Sequence, residues 1–334
     1  MSRPAPAVSV VVATRNRAHL LPRLAAALRA QTIDVPFEVV VVDDAATDDT
    51  PAVLAELAAA GDLDLRVERL AENRGPATAR NVGWRAARAP LVAFTDDDCE
   101  PQPGWLAALV DGLARTDLVQ GRTGPNPAQP YLGWFSRAPT VDHEGGFYET
   151  CNMGYRVAVL RAVDGFDEHF GPVRSRRRTT GYVAPVWGED TDLAWRAKAT
   201  GATSSFAADA LVWHDLKPGS LRDELRDIRR RGTNAYLVKR HPGVRDRLPS
   251  RWFVQPAHAP AGGALLATGW ALLRPGRPVR WALVLALLVT WSRHRTVYHR
   301  RRDLPRTLPQ WFVVDAADVA TMAAASVRYG CVLL

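Results

Sequence analysis

The sequence is poor in cysteine and has no recognisable export signal. Only three of its 334 residues are cysteines, Cys99, Cys151 and Cys331, and none belongs to a CxxC pair. Such a small, odd number argues against a disulfide framework and favours a reducing compartment. The N-terminal stretch MSRPAPAVSVVVATRNR has a short apolar segment and no small-residue cleavage site after it. We therefore expect a cytoplasmic protein.

Several phosphate-handling motifs are also missing. The chain contains neither the GxxxxGK[ST] loop of P-loop proteins nor the GxGxxG fingerprint of dinucleotide-binding proteins. The stretch ATRNRAHL, which begins at Ala13, has no glycine, whereas a nucleotidyltransferase on a related sheet would have a glycine-rich basic loop there. Glu100 stands where an aspartyl-phosphate hydrolase would have threonine or valine. These absences disfavour four classes of phosphate chemistry, although a metal-dependent nucleotidyl- or phosphotransferase stays open as an alternative.

Acidic residues become scarce in the last third of the chain. Residues 1–219 contain 23 basic and 28 acidic side chains, whereas residues 220–334 contain 20 basic and 7 acidic ones. A segment with this excess of positive charge often meets nucleic acid or an anionic membrane. The segment has no recognisable nucleic-acid-reading motif, and its aromatic residues are not interleaved as stacking platforms. We expect a membrane partner and no nucleic acid, with a basic nucleic-acid-binding protein as the alternative.

No apolar run is long and uninterrupted enough to predict a membrane-spanning helix. Residues 252–273 lack charged side chains but contain two prolines and two adjacent glycines, and the run at 281–291 has only eleven residues. RPGRPVR separates the two runs. Apolar segments flanked by arginine suit the surface of an anionic leaflet. The alternative is a helical subdomain that packs on the core or forms a homodimer.

The first hundred residues alternate between strand-like and helix-like patterns. Four β-branched, apolar runs are VSVVVAT at 8–14, FEVVVVDD at 37–44, LRVERL at 65–70 and LVAFTD at 91–96. Helical spacing of apolar residues lies between them. This alternation predicts an α/β fold with a mostly parallel, Rossmann-like sheet, in which ligands bind outside the carboxyl ends of the strands.

Acidic residues end two of these predicted strands. Asp43 and Asp44 follow the second, and Asp96, Asp97 and Asp98 follow the fourth. Neighbouring carboxylates repel one another unless a cation balances them. Asp96 and Asp98 would reach the same side, while Asp97 would point elsewhere. We expect a divalent cation, Mn²⁺ or Mg²⁺, that carries a diphosphate at this edge of the sheet.

Six motifs occur in a characteristic order along residues 7 to 216. They are VSVVVATRNR, VVVVDDAATDDT, ENRGPATARNVG, FTDDDCEP, NMGYRVAVLRAVDGFDE and WGEDTDLAWR. Together they resemble glycosyltransferase family 2, the inverting transferases of the GT-A fold. The resemblance implies a nucleotide-sugar donor (a UDP, GDP or dTDP sugar), a Mn²⁺ or Mg²⁺ ion, and a glycan or lipid-linked acceptor.

The resemblance also implies a domain plan. We expect a GT-A domain over residues 1–218, with a nucleotide-binding half at 7–120 and an acceptor half at 121–218. Residues 219–334 would form a basic, helical, membrane-associating region. The protein would then lie peripherally on the inner face of the cell membrane.

The matching positions carry roles over from the family. The residues expected to bind the nucleotide-sugar are Ala13, Arg15, Asp44, Arg80, Asp96 and Asp97. The residues expected to hold the metal are Asp96, Asp98 and His214.

The motif WGED supplies the expected chemistry. An inverting transfer needs a carboxylate that accepts the proton of the acceptor hydroxyl. Asp190 matches the family's catalytic aspartate, and Glu189 is its neighbouring candidate. Trp187 and Asn152 are expected to meet the acceptor. The arginine-rich stretch at 173–186 predicts a loop that closes over phosphates.

Overall fold

The computed structural model describes residues 4–130, 135–170, 188–248, 250–273, 276–296 and 304–333. The chain divides into two compact units. The first unit comprises residues 1–131 and 137–217, and the second comprises residues 132–136 and 218–334. The break after Lys217 lies next to the boundary expected at 218/219. Trp187 and the stretch 173–186 lie outside the described residues.

The first unit is built on one mixed, eight-stranded sheet. Its strands are β1 (Val8–Thr14), β2 (Phe37–Asp43), β3 (Leu65–Arg69), β4 (Leu91–Thr95), β5 (Cys99–Pro101), β6 (Leu118–Pro125), β7 (Asn152–Arg156) and β8 (Ser204–His214). Its helices are α1 (Leu21–Arg29), α2 (Thr50–Ala59), α3 (Pro76–Ala86), α4 (Trp105–Arg115), α5 (Val157–Ala162) and α6 (Glu189–Ala199). The strand order is β3-β2-β1-β4-β7-β6-β8-β5. The four predicted strands and the α/β class are confirmed.

The strand directions bring the carboxyl ends of six strands, among them β1, β2, β4 and β8, to one edge of the sheet. β1 pairs in parallel with β2 and β4. β7 runs antiparallel to both β4 and β6, and β8 is parallel to β6. β1, β2, β4 and β8 therefore all end at the same edge, which we call the carboxyl rim. The expected site residues from Ala13 to Asp98 lie at the end of one of these strands or just beyond it, with the exception of Arg80. His214 is likewise the last residue of β8.

Burial on both faces explains why the strands are almost wholly apolar. Val10 and Val12 on β1 belong to a core cluster that includes α1 and α4, while Val11 belongs to the opposite cluster, which includes α6. Successive side chains of a strand alternate between faces, so a strand covered on both sides reads as a continuous apolar run. On α3, a Cβ at Gly83 would lie 2.4 Å from Cγ1 of Val11. The glycine lets α3 approach β1 closely.

The second unit is helical, as expected from the sequence. Its helices are α7 (Leu221–Arg231), α8 (Thr233–Arg240), α9 (His258–Leu273), α10 (Pro278–Thr296) and α11 (Leu304–Tyr329). α7 begins with a capping box: the Ser220 hydroxyl accepts the backbone N–H of Asp223, whose carboxylate accepts the Ser220 N–H in return. Within the described residues, no helix has both the length and the hydropathy required to cross a bilayer.

A buried network of charged side chains joins the helices of the second unit. Arg231 of α7 donates to Asp318 of α11 at 2.6 Å and to Glu224 at 2.8 Å. His258 Nε2 of α9 lies 3.4 Å from the same Asp318 carboxylate. The indole N–H of Trp291, on α10, donates to Asp315 of α11 at 2.7 Å. α7, α9 and α10 are thus each fixed to α11, and breaking the charged contacts would be costly because a buried charge would lose its partner.

Candidate active site

A cavity of about 280 Å³ opens at the carboxyl ends of β1 and β2. Three of the residues that line it, Ala13, Arg15 and Asp44, are ones expected at the nucleotide. Asp44 is buried, and its two carboxylate oxygens accept the backbone N–H groups of Arg74 at 2.7 Å and Gly75 at 2.8 Å. Asp44 therefore shapes the wall of the cavity at the start of α3.

The two loops that leave β1 and β2 are tied together beside the cavity. The side-chain oxygen of Asn16 accepts the backbone N–H of Thr47 at 2.7 Å. Asn16 and Ala45 both have positive φ angles, 55° and 53°. Residues other than glycine rarely adopt a backbone conformation with positive φ, so both loops are held in tight turns. Arg15 is exposed next to this junction.

The Asp97 carboxylate has partners different from those of its two acidic neighbours. Its carboxylate accepts the Thr14 hydroxyl at 2.7 Å and lies 3.9 Å from Arg17 Nε. Burial, together with the charges of Asp98 and Asp96, raises the pKa of Asp97 to about 7, although the hydrogen bond from Thr14 opposes the shift. The role of Asp97 at the donor stays a prediction.

Asp98 and His214 meet because β5 and β8 are antiparallel, with Cys99 directly opposite His214. One Asp98 oxygen lies 3.2 Å from His214 Nε2, and the other accepts from the Lys217 ammonium at 2.8 Å. Asp98 and His214 are both buried, whereas the side chain of Lys217 is half exposed. The strand pairing thus joins two of the three residues expected to hold a metal.

The hydrogen bonds of His214 suit a metal ligand. Its Nδ1 lies 3.0 Å from the carbonyl oxygen of Asp215. A carbonyl only accepts, so Nδ1 carries a proton and Nε2 is the ring nitrogen that faces the Asp98 carboxylate. A proton on Nε2 or a metal cation between the two groups would each satisfy this contact. A backbone carbonyl that fixes the tautomer in this way is typical of metal-binding histidines.

The third side chain close to these two is Cys99. One ligand atom each of Asp98, Cys99 and His214 lies within 4.8 Å of the others. Burial raises the pKa of the Cys99 thiol well above its usual range. Metal ligation needs the thiolate, and Mn²⁺ and Mg²⁺ prefer oxygen to sulfur. The donor set that fits such a cation is therefore Asp98 with His214, and Asp96 as a ligand stays a prediction.

Arg80 connects the acidic cluster to the start of α6. Its guanidinium donates to Asp96 at 2.9 Å and to Glu189 at 3.2 Å. Burial disfavours the charged form of Arg80, but the carboxylates of Asp96, Glu189 and Asp190 outweigh it and raise the pKa of Arg80. Burial alone would raise the pKa of Asp96, but the charge of Arg80 outweighs this effect, so the pKa of Asp96 is lowered. The acidic motif FTDDDCEP and Glu189 of the motif WGED are thus held together by the side chain of Arg80.

Asp190 lies in the first turn of α6, beside Glu189. One of its oxygens accepts the backbone N–H of Thr150 at 3.2 Å. Burial raises the pKa of Asp190, and Arg80 opposes the shift. Burial and the Asp190 charge raise the pKa of Glu189 to about 7, again opposed by Arg80. A carboxylate with a raised pKa at the edge of a site is suited to accept a proton.

Asn152 is buried inside the sheet. Its amide donates to the carbonyls of Arg122 and Ala210, both at 2.8 Å, and its oxygen accepts the Trp105 indole N–H at 2.8 Å. These bonds connect β6 and β8 where their register shifts between Gly121 and Arg122. The acceptor contact expected for Asn152 stays a prediction.

Two groups at the site were missed from the sequence. Lys217 follows His214 by three residues and contacts the Asp98 carboxylate. The sequence alone does not predict this contact, because it depends on β8 ending beside Asp98. Thr14 is the last residue of β1, and its hydroxyl donates a hydrogen bond to Asp97. A polar residue at the last position of an otherwise apolar strand is the signal that would have identified it.

Comparison with known proteins identifies the family. Residues 9–166 match the model of "Glycosyl transferase family 2". The "Pre-mycofactocin glycosyltransferase" of Mycobacterium tuberculosis is 32% identical over 289 residues, which cover 80% of this chain and 53% of that protein. The chain thus spans about half the length of this curated relative.

Solved structures share the fold. The mannosyltransferase PcManGT from Pyrobaculum calidifontis, in complex with GDP-Man and Mn²⁺, has a TM-score of 0.59 at 21% identity, covering 97% of this chain and 87% of its own. S. aureus TarS 1-349 in complex with UDP-GlcNAc has a TM-score of 0.50 at 20% identity, covering 97% and 92%. The first unit is therefore a glycosyltransferase family 2 domain of the GT-A fold, and the chain belongs to that family through this domain.

Proposed function

We propose that the protein is a metal-dependent, inverting glycosyltransferase that moves a sugar from a nucleoside diphosphate to a hydroxyl acceptor. The observation that carries the proposal is the bridge made by Arg80. It holds Asp96, beside the Asp98–His214 pair, and Glu189, beside Asp190, on one guanidinium. A sugar transfer needs a cation at the leaving diphosphate and a proton acceptor at the attacking hydroxyl, and the two proposed sites lie close together here.

The donor would occupy the cavity with its nucleoside against Asp44 and its diphosphate towards Asp98. Asp98 and His214 would hold the Mn²⁺ or Mg²⁺ ion. When bound, the ion stabilises the negative charge that develops on the leaving diphosphate. Lys217 keeps a second positive charge next to the same carboxylate. Arg15, at the cavity, is placed to bind a phosphate oxygen.

Asp190 would act as the general base. As the acceptor oxygen bonds to the anomeric carbon, the bond from that carbon to the diphosphate breaks, and its electron pair leaves with the phosphate. The hydroxyl proton passes to Asp190. Attack from the face opposite the leaving group inverts the anomeric configuration. The raised pKa of Asp190 favours its protonation at that moment.

Two neighbouring structures support a nucleotide-sugar donor, since one was solved with GDP-Man and Mn²⁺ and the other with UDP-GlcNAc. We propose a UDP, GDP or dTDP sugar as the donor and a glycan or lipid-linked hydroxyl as the acceptor. The enzyme would work from the inner face of the cell membrane, to which the basic second unit would bind.

The test is a screen of nucleotide-sugars with Mn²⁺ and Mg²⁺, read by release of nucleoside diphosphate. Asp98→Asn should abolish release, whereas Asp209→Asn, on an exposed stretch of β8, should leave it unchanged. NMR of the product should show the opposite anomeric configuration to the donor. Release of pyrophosphate or nucleoside monophosphate would instead indicate a nucleotidyl- or phosphotransferase, and retention of configuration would exclude the single displacement.

A further inference from the structure

α9 and α10 both expose large apolar side chains, and the apolar residues that α9 buries are small. On α9 the alanines at 261, 264, 267 and 271 are buried, while Leu266 and Leu273 are 79% and 83% exposed. On α10 Leu285 is 63% exposed. The other large apolar side chains exposed on these two helices are Leu265, Trp270, Leu272, Val279, Trp281, Leu283 and Val289. A helix pair surrounded by water has the opposite arrangement, with its large apolar residues inside.

We call the exposed side chains of α9 and α10 the hairpin surface. Single exposed apolar residues are ordinary on a protein, but ten on two adjoining helices form a patch of the kind that marks a binding surface. Two of the ten are tryptophans, Trp270 and Trp281. The amphipathic ring of tryptophan favours the boundary between apolar and aqueous phases.

The charge around the hairpin surface has one sign. Residues 247–302 contain ten arginines and neither aspartate nor glutamate. Arg277 is exposed in the connection between the helices. Arg280 lies with its guanidinium 4.5 Å from the centre of the Trp270 ring. An apolar patch whose flanking sequence carries only positive charge is complementary to an anionic lipid surface, in which acyl chains lie beneath phosphate groups.

The same charge pattern argues against a second copy of the chain as the partner. A twofold interface brings the same patch of both subunits together. The arginines of one copy would then face the arginines of the other, and residues 247–302 offer no acidic side chain to pair with them. Like charges placed opposite each other across an interface weaken it.

We propose that the hairpin surface binds an anionic lipid leaflet, with α9 and α10 lying in the plane of the membrane surface. The leucines would enter the outer part of the acyl region, and the arginines would contact lipid phosphates. Insertion of the hairpin end-on is disfavoured because Arg277 and Arg280 lie at its turn and would enter the hydrocarbon. The proposal does not depend on the sugar-transfer chemistry of the first unit.

Vesicle flotation with the full chain tests the binding. The protein should float with vesicles of phosphatidylglycerol and phosphatidylcholine at least tenfold more than with phosphatidylcholine alone. The double variant Leu266→Gln/Leu285→Gln should lose this binding, and Arg277→Glu should weaken it about tenfold. The matched controls Val327→Gln on α11 and Arg222→Glu on α7 change exposed residues outside the hairpin surface and should bind as the wild type does.

Three further readouts make the outcome decisive. Unchanged circular dichroism and nucleoside diphosphate release in all variants would separate lost membrane binding from misfolding and from failure of the proposed chemistry. Sedimentation velocity that shows a dimer broken by the leucine variant, with no preference for anionic vesicles, would overturn the proposal in favour of self-association. Nitroxide labels at positions 266, 277 and 285 in a Cys331→Ser background test the orientation. Label 277 should lie at headgroup depth, and a deeper position than the other two would refute the in-plane arrangement.

Discussion

Replacement of Arg80 by methionine should destabilise the first unit strongly. Arg80 is buried and donates to two carboxylates, Asp96 at 2.9 Å and Glu189 at 3.2 Å. Removing one partner of a buried ion pair costs about 3–5 kcal/mol, because the remaining charge is left without compensation. For a unit of this size each kcal/mol lowers the melting temperature by about 2–4 °C, so we expect a loss of roughly 6–20 °C.

The loss should depend on pH in a definite direction. The folded-state pKa of Glu189 is raised to about 7, so its contribution to stability is present below its unfolded value and is lost as pH rises through 7. Without Arg80 this pKa rises further, and Asp96 no longer has the cation that lowers its own pKa. The free energy of unfolding of Arg80→Met should therefore fall further below that of the wild type at pH 8 than at pH 6.

Urea unfolding at the two pH values, followed by circular dichroism, measures the effect. The matched control is Arg85→Met, on the same helix, whose exposed ion pair with Asp164 should contribute less than about 1 kcal/mol. Adding Glu189→Gln to Arg80→Met should recover about 1–2 kcal/mol, since one uncompensated acid is removed. A deficit below 1 kcal/mol at pH 8, or an equal deficit at both pH values, would refute the role assigned to Arg80.

Three further predictions follow from the site and from the second unit. Asp190→Asn should keep donor affinity in calorimetry while turnover falls about 10² to 10⁴-fold, and near-normal turnover would move the base to Glu189. Lys217→Met should bind Mn²⁺ about five- to tenfold more tightly than the wild type, because the Lys217 ammonium competes with the metal for Asp98. Calorimetry with MnCl₂ alone measures this affinity. Weaker binding would mean that Lys217 instead holds the carboxylate in its ligating position. Asp318→Asn should destabilise the second unit by about 3–5 kcal/mol at neutral pH. Burial opposes ionisation of Asp318, but His258 and Arg231 together lower its pKa. The difference in free energy of unfolding between the wild type and Asp318→Asn should therefore shrink as pH falls below about 4. A difference that stays constant in urea unfolding at several pH values would contradict this.

The sequence predicts the carboxyl rim well because its strands are strongly patterned. The run 8–14 became β1 (Val8–Thr14), and the runs at 37–44 and 91–96 became strands that end one residue earlier. These strands are buried on both faces, so each is a continuous apolar run followed at once by polar residues. The positions of Asp44 and Asp98 followed from that pattern before any contact was known.

Contacts between distant segments could not be predicted in the same way. β5 is three residues long, too short for a periodic signal, yet its pairing with β8 places Asp98 beside His214. The Arg80–Glu189 contact joins residues 109 positions apart, and local patterning has no information on such a pair. For the second unit the sequence predicts two broken apolar runs, but it does not show that most of the alanines of α9 are buried and its leucines exposed.

Asp44 has a consequence for the kinetics of donor binding. Its carboxylate holds the N–H groups of Arg74 and Gly75 in place in the protein alone, so the cavity wall is formed before a nucleotide arrives. The conformational entropy of this loop is lost during folding rather than during association. Donors that share the same nucleoside diphosphate should therefore associate at similar rates, and differences in their affinity should appear in how long each one stays bound.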